Sequence, residues 1–375
     1  MNRKQFIVLV VLVAVIGGLA FVLSNRNATT WKSPEKAMSG TIFKDFPLND
    51  VTEIVIKDKE GSLTLIKKEE RWTVKERGHY PANFTEIGDL LRKVWDLKPV
   101  QQPTVGESQL GRLELLEPGK GDKSGTLVEF KGAGGKTLGA VLLGKKHMKE
   151  GNAQFGGGSF ADGRYLMIPG KLESLALVSE SFDDIAPKAS EWLAKEFFKI
   201  EKIKTVSVST NGTAAWSIYR ETEAGEWKLE GIKEAEKMDV ASTGAFNHLL
   251  SSAAFSDVLT ENMELKNPIK ATIETFEGFK YELTLAPTES PEGYHMKLLV
   301  NANLAKERMV GKDEKAEDKA KLDKEFTDRS SKLAEKLKQE KQFEGYTYYV
   351  NKFTVDTLLK QRSDLIAKTP EKPPE

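Results

Sequence analysis

Residues 52–75 read TEIVIKDKEGSLTLIKKEERWTVK, and this stretch decides what kind of fold the chain can form. Apolar and polar residues alternate in three short runs, TEIVIKD, SLTLIKK and RWTVK, and the turn residues Glu60 and Gly61 separate the first two. Alternation with a period of two is typical of strands that bury one face. The stretch therefore predicts a three-stranded antiparallel meander.

An amphipathic helix is predicted directly after the meander. Asn83 is a residue type that caps helix N-termini, and Glu86 follows three positions later, as in a capping box. Apolar residues recur at helical spacing on the predicted inner face, at Phe84, Ile87, Leu90, Leu91, Val94 and Trp95. The tryptophans are predicted to belong to the core rather than to a sugar-binding platform, and these are Trp72, Trp95, Trp216 and Trp227.

The same series of patterns begins again at Lys204. KTVSVST, AAWSIYR and EWKLE repeat the three strands, with Trp227 in the place of Trp72, and Asp239 opens a second helical pattern. A hairpin follows each helix, LVEF with TLGAVLLG in the first copy and ATIETF with KYELTLA in the second. Each copy then closes with an aromatic-rich strand and a short helix, at 164–168 and 172–175 and again at 346–350 and 355–359.

These patterns predict an α+β fold with two tandem β-rich modules of the same topology, namely three strands, a helix, a hairpin, a strand and a helix. We expect Trp72 to be equivalent to Trp227, and Tyr165 to Tyr348. An N-terminal transmembrane helix is predicted before the modules.

The predicted transmembrane helix rests on residues 6–23, which read FIVLVVLVAVIGGLAFVL and carry no charge. Eighteen residues span about 27 Å as a helix, close to the hydrocarbon core of a bilayer at about 30 Å. Arg3 and Lys4 precede the run, so the N-terminus is predicted to be cytoplasmic and the body periplasmic or extracellular, with the chain a single-pass protein of the inner (cytoplasmic) membrane. A cleaved signal peptide is the alternative, and it also exports the body.

The sequence divides into a cytoplasmic start with the anchor (1–24), a tether (25–40), a first module (41–200), a second module (201–367) and a disordered tail (368–375). The second module carries a charged insertion at residues 306–342, where Lys, Glu and Asp dominate. An apolar stripe within it predicts a helix, either a solvated flank or a partner-binding surface, and the stripe consists of Leu322, Phe326, Leu333 and Leu337.

Composition argues against several classes of function. The 56 basic and 56 acidic side chains give a formal net charge of zero, which does not favour nucleic-acid binding. The absence of cysteine excludes disulfides, thiolate metal sites and a lipoprotein anchor. The histidines are isolated from other potential ligands, and they are His79, His147, His248 and His295. We therefore predict no catalytic residue, no cofactor and no metal site.

The glycine-rich run GAGGKT at residues 132–137 is similar to a phosphate-binding loop only in composition. Such a loop requires a glycine five residues before Gly135, where Phe130 stands, and a helix after it. Here the flanking patterns are both strands, so a hairpin turn is predicted.

The run RWTVKERGHYPANFTEIGDLLRKVWDLKPVQ, at residues 71–101, resembles the hallmark of the domain-of-unknown-function 4340 family. The residues that carry the likeness are Trp72, Tyr80, Pro81, Ala82, Leu90, Leu91, Leu97 and Lys98. LGAVLLGK and GRYLMIP also look like the hairpin and closing strand of that family. The resemblance implies a bacterial protein with one N-terminal membrane helix, often encoded beside genes for an ABC-type transporter similar to the gliding-motility export system. It implies no catalytic residues.

The sequence thus favours a non-enzymatic, membrane-anchored extracytoplasmic protein that acts as an accessory or partner-binding component of an ABC-type transport system. Its expected partner is a membrane protein, the permease or an auxiliary subunit, and nucleic acid is not expected. The alternative is a cell-envelope hydrolase or glycan-binding protein whose site assembles from residues distant in sequence. A cleft lined by converging carboxylates would favour the enzyme.

Overall fold

A computed structural model describes residues 41–43, 46–150, 158–260, 263–310, 314–315 and 318–367. The predicted transmembrane helix, tether and tail therefore lie outside the described residues. Within the described ranges, no helix combines the length and the apolar character that a membrane crossing requires.

The described chain forms two large antiparallel sheets. The first has nine strands in the order β4-β3-β2-β1-β6-β7-β8-β9-β5. Its strands are β1 (Glu53–Lys57), β2 (Ser62–Lys68), β3 (Arg71–Val74), β4 (Tyr80–Pro81), β5 (Pro99–Gln101), β6 (Thr126–Lys131), β7 (Thr137–Glu150), β8 (Ser159–Ile168) and β9 (Lys171–Val178).

The second sheet has eight strands in the order β12-β11-β10-β14-β15-β16-β17-β13. Its strands are β10 (Ile203–Thr210), β11 (Thr213–Tyr219), β12 (Lys228–Leu229), β13 (Asp257–Leu259), β14 (Ile269–Thr275), β15 (Phe279–Pro287), β16 (Gly293–Ala302) and β17 (Thr347–Asn351). The described α-helices are α1 (Phe84–Trp95), α2 (Val240–Gly244), α3 (Lys319–Glu340) and α4 (Lys352–Val355).

The predicted meander is confirmed in β1, β2 and β3. Ile54 pairs with Leu65, and Leu65 pairs with Val74, so the buried residues of the three strands share one face. The predicted helix follows as α1, and the Asn83 side chain accepts hydrogen bonds from the backbone N–H groups of Thr85 and Glu86.

The α+β prediction is wrong, because the described chain is mostly β-sheet. The second copy has only a five-residue helix, α2, where a full helix was predicted. Residues 172–175, predicted to be a short helix, belong to strand β9 instead. A short apolar run of this kind fits either a helix or a strand, and the pairing of the flanking residues Lys171 and Ala176 with β8 decides in favour of the strand.

The predicted equivalence of the two copies is met at one position and fails at another. Trp72 and Trp227 hold equivalent positions. Trp72 lies two residues before Val74, which pairs with Leu65. In the second copy, Trp227 lies two residues before Leu229, which pairs with Ile218. Tyr165, however, lies on β8, whereas Tyr348 lies on β17, next to the edge strand β13. The strand β9 that was taken for a helix is the reason for this difference.

One continuous cluster of buried side chains includes residues from both sheets, for example Ile54 and Leu65 from the first and Ile273 and Leu285 from the second. A smaller cluster lies on the other face of the first sheet, where the 3₁₀ segment Glu107–Leu113 contributes apolar side chains. The predicted boundary at residues 200 and 201 falls in the connector between β9 and β10.

The charged insertion is helical, as predicted, and forms α3. Its stripe turns inward, since Leu333 and Leu337 pack against the main core and Leu322 and Phe326 are half-buried. Arg308 ties the start of the insertion to the helix through ion pairs with Glu314 and Asp323.

Candidate functional site: a cleft where the two sheets meet

The connector between the sheets runs beside the edge of the first sheet. Ala82 forms a β-bridge with Leu193, and the Ala194 N–H donates to the Pro81 carbonyl oxygen at 2.9 Å. The Asn83 N–H donates to the Trp192 carbonyl oxygen at 2.8 Å. The connector thus covers strand β4, which would otherwise be an open edge.

A bidentate ion pair joins the two sheets directly. Arg77, just after β3, donates from Nε to Oδ1 of Asp257 at 2.7 Å and from Nη2 to Oδ2 at 2.8 Å. Asp257 lies on β13, the edge strand of the second sheet. The hydrogen bond to Asp257 raises the pKa of Arg77, so the guanidinium group stays charged.

An aromatic cluster fills the space behind this ion pair. Tyr80 is 1% exposed, and its ring lies 5.6 Å from that of Phe255 and 4.9 Å from that of Tyr346. Phe197 of the connector lies 4.6 Å from Tyr348. Burial raises the pKa of Tyr80, so its hydroxyl stays neutral. The cluster binds β4, the connector and β17 into one packed unit.

A cleft of about 550 Å³ opens beside the aromatic cluster. It is formed by β4, the connector and the C-terminal end of α3. Its walls combine aromatic groups with charged and amide groups, namely Tyr80, Pro81, Ala194, Glu196, Phe197, Lys199, Glu201, Lys336, Gln339, Glu340, Gln342 and Phe343.

Glu340 is the buried carboxylate of the cleft, with 5% of the residue exposed. It accepts hydrogen bonds from the Lys199 N–H at 3.0 Å and from the Tyr281 hydroxyl at 2.7 Å. Burial raises the pKa of Glu340, and the two hydrogen bonds oppose this shift. Both carboxylate oxygens are therefore engaged in holding α3 against the second sheet and the connector.

A second carboxylate of the cleft is also paired. Lys336 Nζ lies 3.0 Å from Oε2 of Glu201 and 4.0 Å from Oε1 of Glu340. The cleft thus offers an apolar floor with a rim of mixed charge.

The described ranges contain no group of three or more His, Cys, Asp or Glu residues placed to hold a metal ion. His147 instead pairs with Asp162 on the β7–β8 hairpin, where Nδ1 and Oδ1 are 2.6 Å apart. Burial lowers the pKa of His295. Residues 132–136 form the turn between β6 and β7, so the predicted hairpin turn is confirmed, and Thr137 begins β7.

The sequence analysis predicts a possible partner-binding surface on α3, formed by Leu322, Phe326, Leu333 and Leu337. Other residues of the same helix line the cleft. Lys336, Gln339 and Glu340 line it. The sequence patterns do not predict that Tyr80, Phe197 and Glu340 belong to one site. The Tyr-Pro-Ala motif at residues 80–82 was a usable signal, since two of its residues line the cleft and the third bridges to the connector.

Two aromatic residues predicted for the core lie on the surface instead. Phe84 is 71% exposed and Trp95 is 52% exposed, whereas Trp72 and Trp216 are buried. Trp227 is half-buried, and its indole N–H donates to the side-chain oxygen of Asn247 at 3.1 Å.

Comparison with protein families gives one match, to a domain of unknown function (DUF4340), over residues 72–269. The match covers more than half of the 375-residue chain. The chain belongs to the DUF4340 family. No curated protein and no solved structure matches it. In this DUF4340 protein, the matched region includes β4 and the connector, which form one wall of the cleft, and ends before α3, which forms the other.

Proposed function

We propose that this DUF4340 protein is a membrane-anchored extracytoplasmic binding protein that acts as an accessory component of an ABC-type transport system. The anchor is the apolar segment at residues 6–23, and the described sheets form the body that it holds outside the cytoplasm. The protein works by binding, without an enzymatic activity of its own.

The observation that carries this proposal is the cleft at the sheet junction. Its apolar floor, provided by Tyr80, Phe197 and Phe343, is bordered by charged side chains. Its buried carboxylate, Glu340, accepts two hydrogen bonds, and the exposed Glu201 pairs with Lys336, so both serve to shape the cleft. An extracytoplasmic segment of the permease or of an auxiliary subunit is the proposed occupant.

A matched pair of substitutions on α3 tests the role of the cleft. Gln339 lines the cleft, whereas its neighbour Lys338 is exposed and does not line it. We expect Gln339→Trp to fill the cleft and to abolish co-purification of the permease with the intact protein in mild detergent. Lys338→Trp should leave co-purification unchanged.

Two outcomes would contradict parts of the proposal. Equal recovery of the permease with both variants would place its binding site elsewhere. Failure of the wild-type protein to co-purify or cross-link with any transport component would contradict the accessory role itself.

The location is tested separately with protease added to spheroplasts. We expect digestion of the body, because the basic start holds the N-terminus in the cytoplasm. A body that is protected until the membrane is dissolved would overturn the extracytoplasmic location.

A further inference from the structure

The surface side of α1 carries two exposed aromatic residues on one line. Phe84 and Trp95 are eleven positions apart, which places them about 20° apart around a helix. The buried side of α1 consists of Ile87, Leu90, Leu91 and Val94. The line of Phe84 and Trp95 runs along the border of this side. With 71% and 52% of these residues exposed, the line is an apolar strip in contact with solvent.

The N-terminal end of the described chain reaches the body beside this strip. The Ile42 N–H donates to the carbonyl oxygen of Leu97 at 2.9 Å, two residues after Trp95. Trp95 and the segment at residues 46–50 border a depression of about 490 Å³. Val100, on β5, is a further exposed apolar residue close to this point, at 61%.

The chain between the apolar segment and the body is short. The 17 residues from 24 to 40 can span at most about 60 Å. A compact body of this size has a radius of gyration of about 20 Å, and therefore a diameter of about 50 Å. Because the path around such a body to its opposite side, about 80 Å, exceeds this maximum reach, the side of the body that carries Ile42 stays nearest to the membrane.

We propose that the α1 flank, defined as Phe84, Trp95 and Val100, lies in the interface of the lipid bilayer and orients the body on the membrane. This inference rests on the proposed anchoring. Tryptophan suits this position, since its ring combines an apolar body with a polar N–H group, and phenylalanine adds apolar surface that the bilayer can bury.

The charged residues of α1 indicate which lipids are sufficient for the α1 flank to bind the bilayer. Arg92 pairs with Asp89 at 2.7 Å, and Lys98 pairs with Asp96 at 3.0 Å. The flank therefore presents little net charge, and its contact with the bilayer depends on apolar burial. A neutral phosphatidylcholine surface is sufficient.

The chain has no cysteine, so single cysteines can be placed and labelled without background. We would reconstitute the full-length protein in phosphatidylcholine vesicles with a polarity-sensitive fluorophore at Phe84→Cys or Trp95→Cys, and add nitroxide lipids as quenchers. The controls are Val240→Cys and Phe353→Cys, since these residues are 81% and 83% exposed and lie in elements of the second sheet's half. We expect quenching at positions 84 and 95 to exceed that at 240 and 353 by about twofold or more, as an interfacial position implies.

The outcomes separate this inference from the proposed anchoring. If the protein is washed off the vesicles by alkaline carbonate, the anchoring itself is wrong. If the protein stays with the vesicles but position 95 is quenched no more than position 353, the α1 flank does not contact lipid and the inference is overturned. Protection of position 95 only after addition of a permease would likewise overturn it, in favour of a protein partner.

Discussion

At the scale of single residues, one ion pair fixes the C-terminal part of the described chain. Arg362 donates to both carboxylate oxygens of Glu236, at 3.1 and 2.7 Å, and also to the Gly231 carbonyl oxygen. Backbone hydrogen bonds from Asp239 to Leu365 and from Ala367 to Lys237 run alongside it. The hydrogen bonds from Arg362 and from the Lys233 N–H lower the pKa of Glu236 from 4.5 to about 2.

The depressed pKa predicts a pH-dependent contribution to folding stability. Because the pKa of Glu236 is lower in the folded state, its stabilising effect is complete above pH 4.5 and is lost as the pH falls towards 2. We expect Glu236→Gln to be less stable than the wild type at pH 7, and the difference to shrink between pH 4.5 and 2. Denaturant unfolding at several pH values measures this, with the exposed Glu234→Gln as control. A difference that does not change with pH would contradict the assignment.

The tryptophans show what a sequence can and cannot say about a single residue. Trp72 lies on a strand whose alternation marks its buried face, and it is 6% exposed, as expected. Trp95 fits the helical period equally well and is nevertheless exposed. It lies at the border of the buried arc of α1, where the spacing alone does not distinguish the core from the surface.

At the scale of elements, the strands of the first meander were predictable because their alternation and turns are local. The failures concern short segments whose structure depends on distant partners. Residues 172–175 lie within a strand because the residues on both sides of them pair with β8, Lys171 with Ile168 and Ala176 with Leu166. α2 ends after five residues, and its first residue, Val240, is 81% exposed.

The inward orientation of α3 leads to a prediction about its stripe. Leu333 and Leu337 pack against the core, so we expect Leu333→Ala and Leu337→Ala each to lower the free energy of unfolding by about 1–2 kcal/mol, less than for fully buried leucines. Lys338→Ala, on the exposed side, should change it by less than about 0.5 kcal/mol. Denaturant unfolding of the full chain in detergent provides the measurement. Negligible effects at both leucines would show that the helix is a solvated flank.

At the scale of the whole molecule, the candidate site could not be located from the sequence. Tyr80, Phe197 and Glu340 meet in one cleft although more than a hundred positions separate each from the next. Periodicity reports which face of an element is buried, but not which distant element covers it. One wall of the cleft contains the family motif. The other wall is formed by the charged insertion, which lies outside the matched region.

The joined core predicts that the two sheets unfold together. The Arg77–Asp257 pair is bidentate and its side chains are only 27% and 26% exposed, so we expect a coupling energy of about 1 kcal/mol in a double-mutant cycle of Arg77→Met and Asp257→Asn. Since the pair bridges two sheets that share buried aromatic residues, either single substitution should speed amide hydrogen exchange in β1 and in β14 by the same factor. Lys57→Met, which removes a half-buried ion pair within the first sheet, is the matched comparison, and whatever change it causes should also be equal in β1 and β14. Faster exchange confined to one sheet in the Arg77 or Asp257 variants would mean that the sheets are independent folding units, and that the cleft between them is free to open and close.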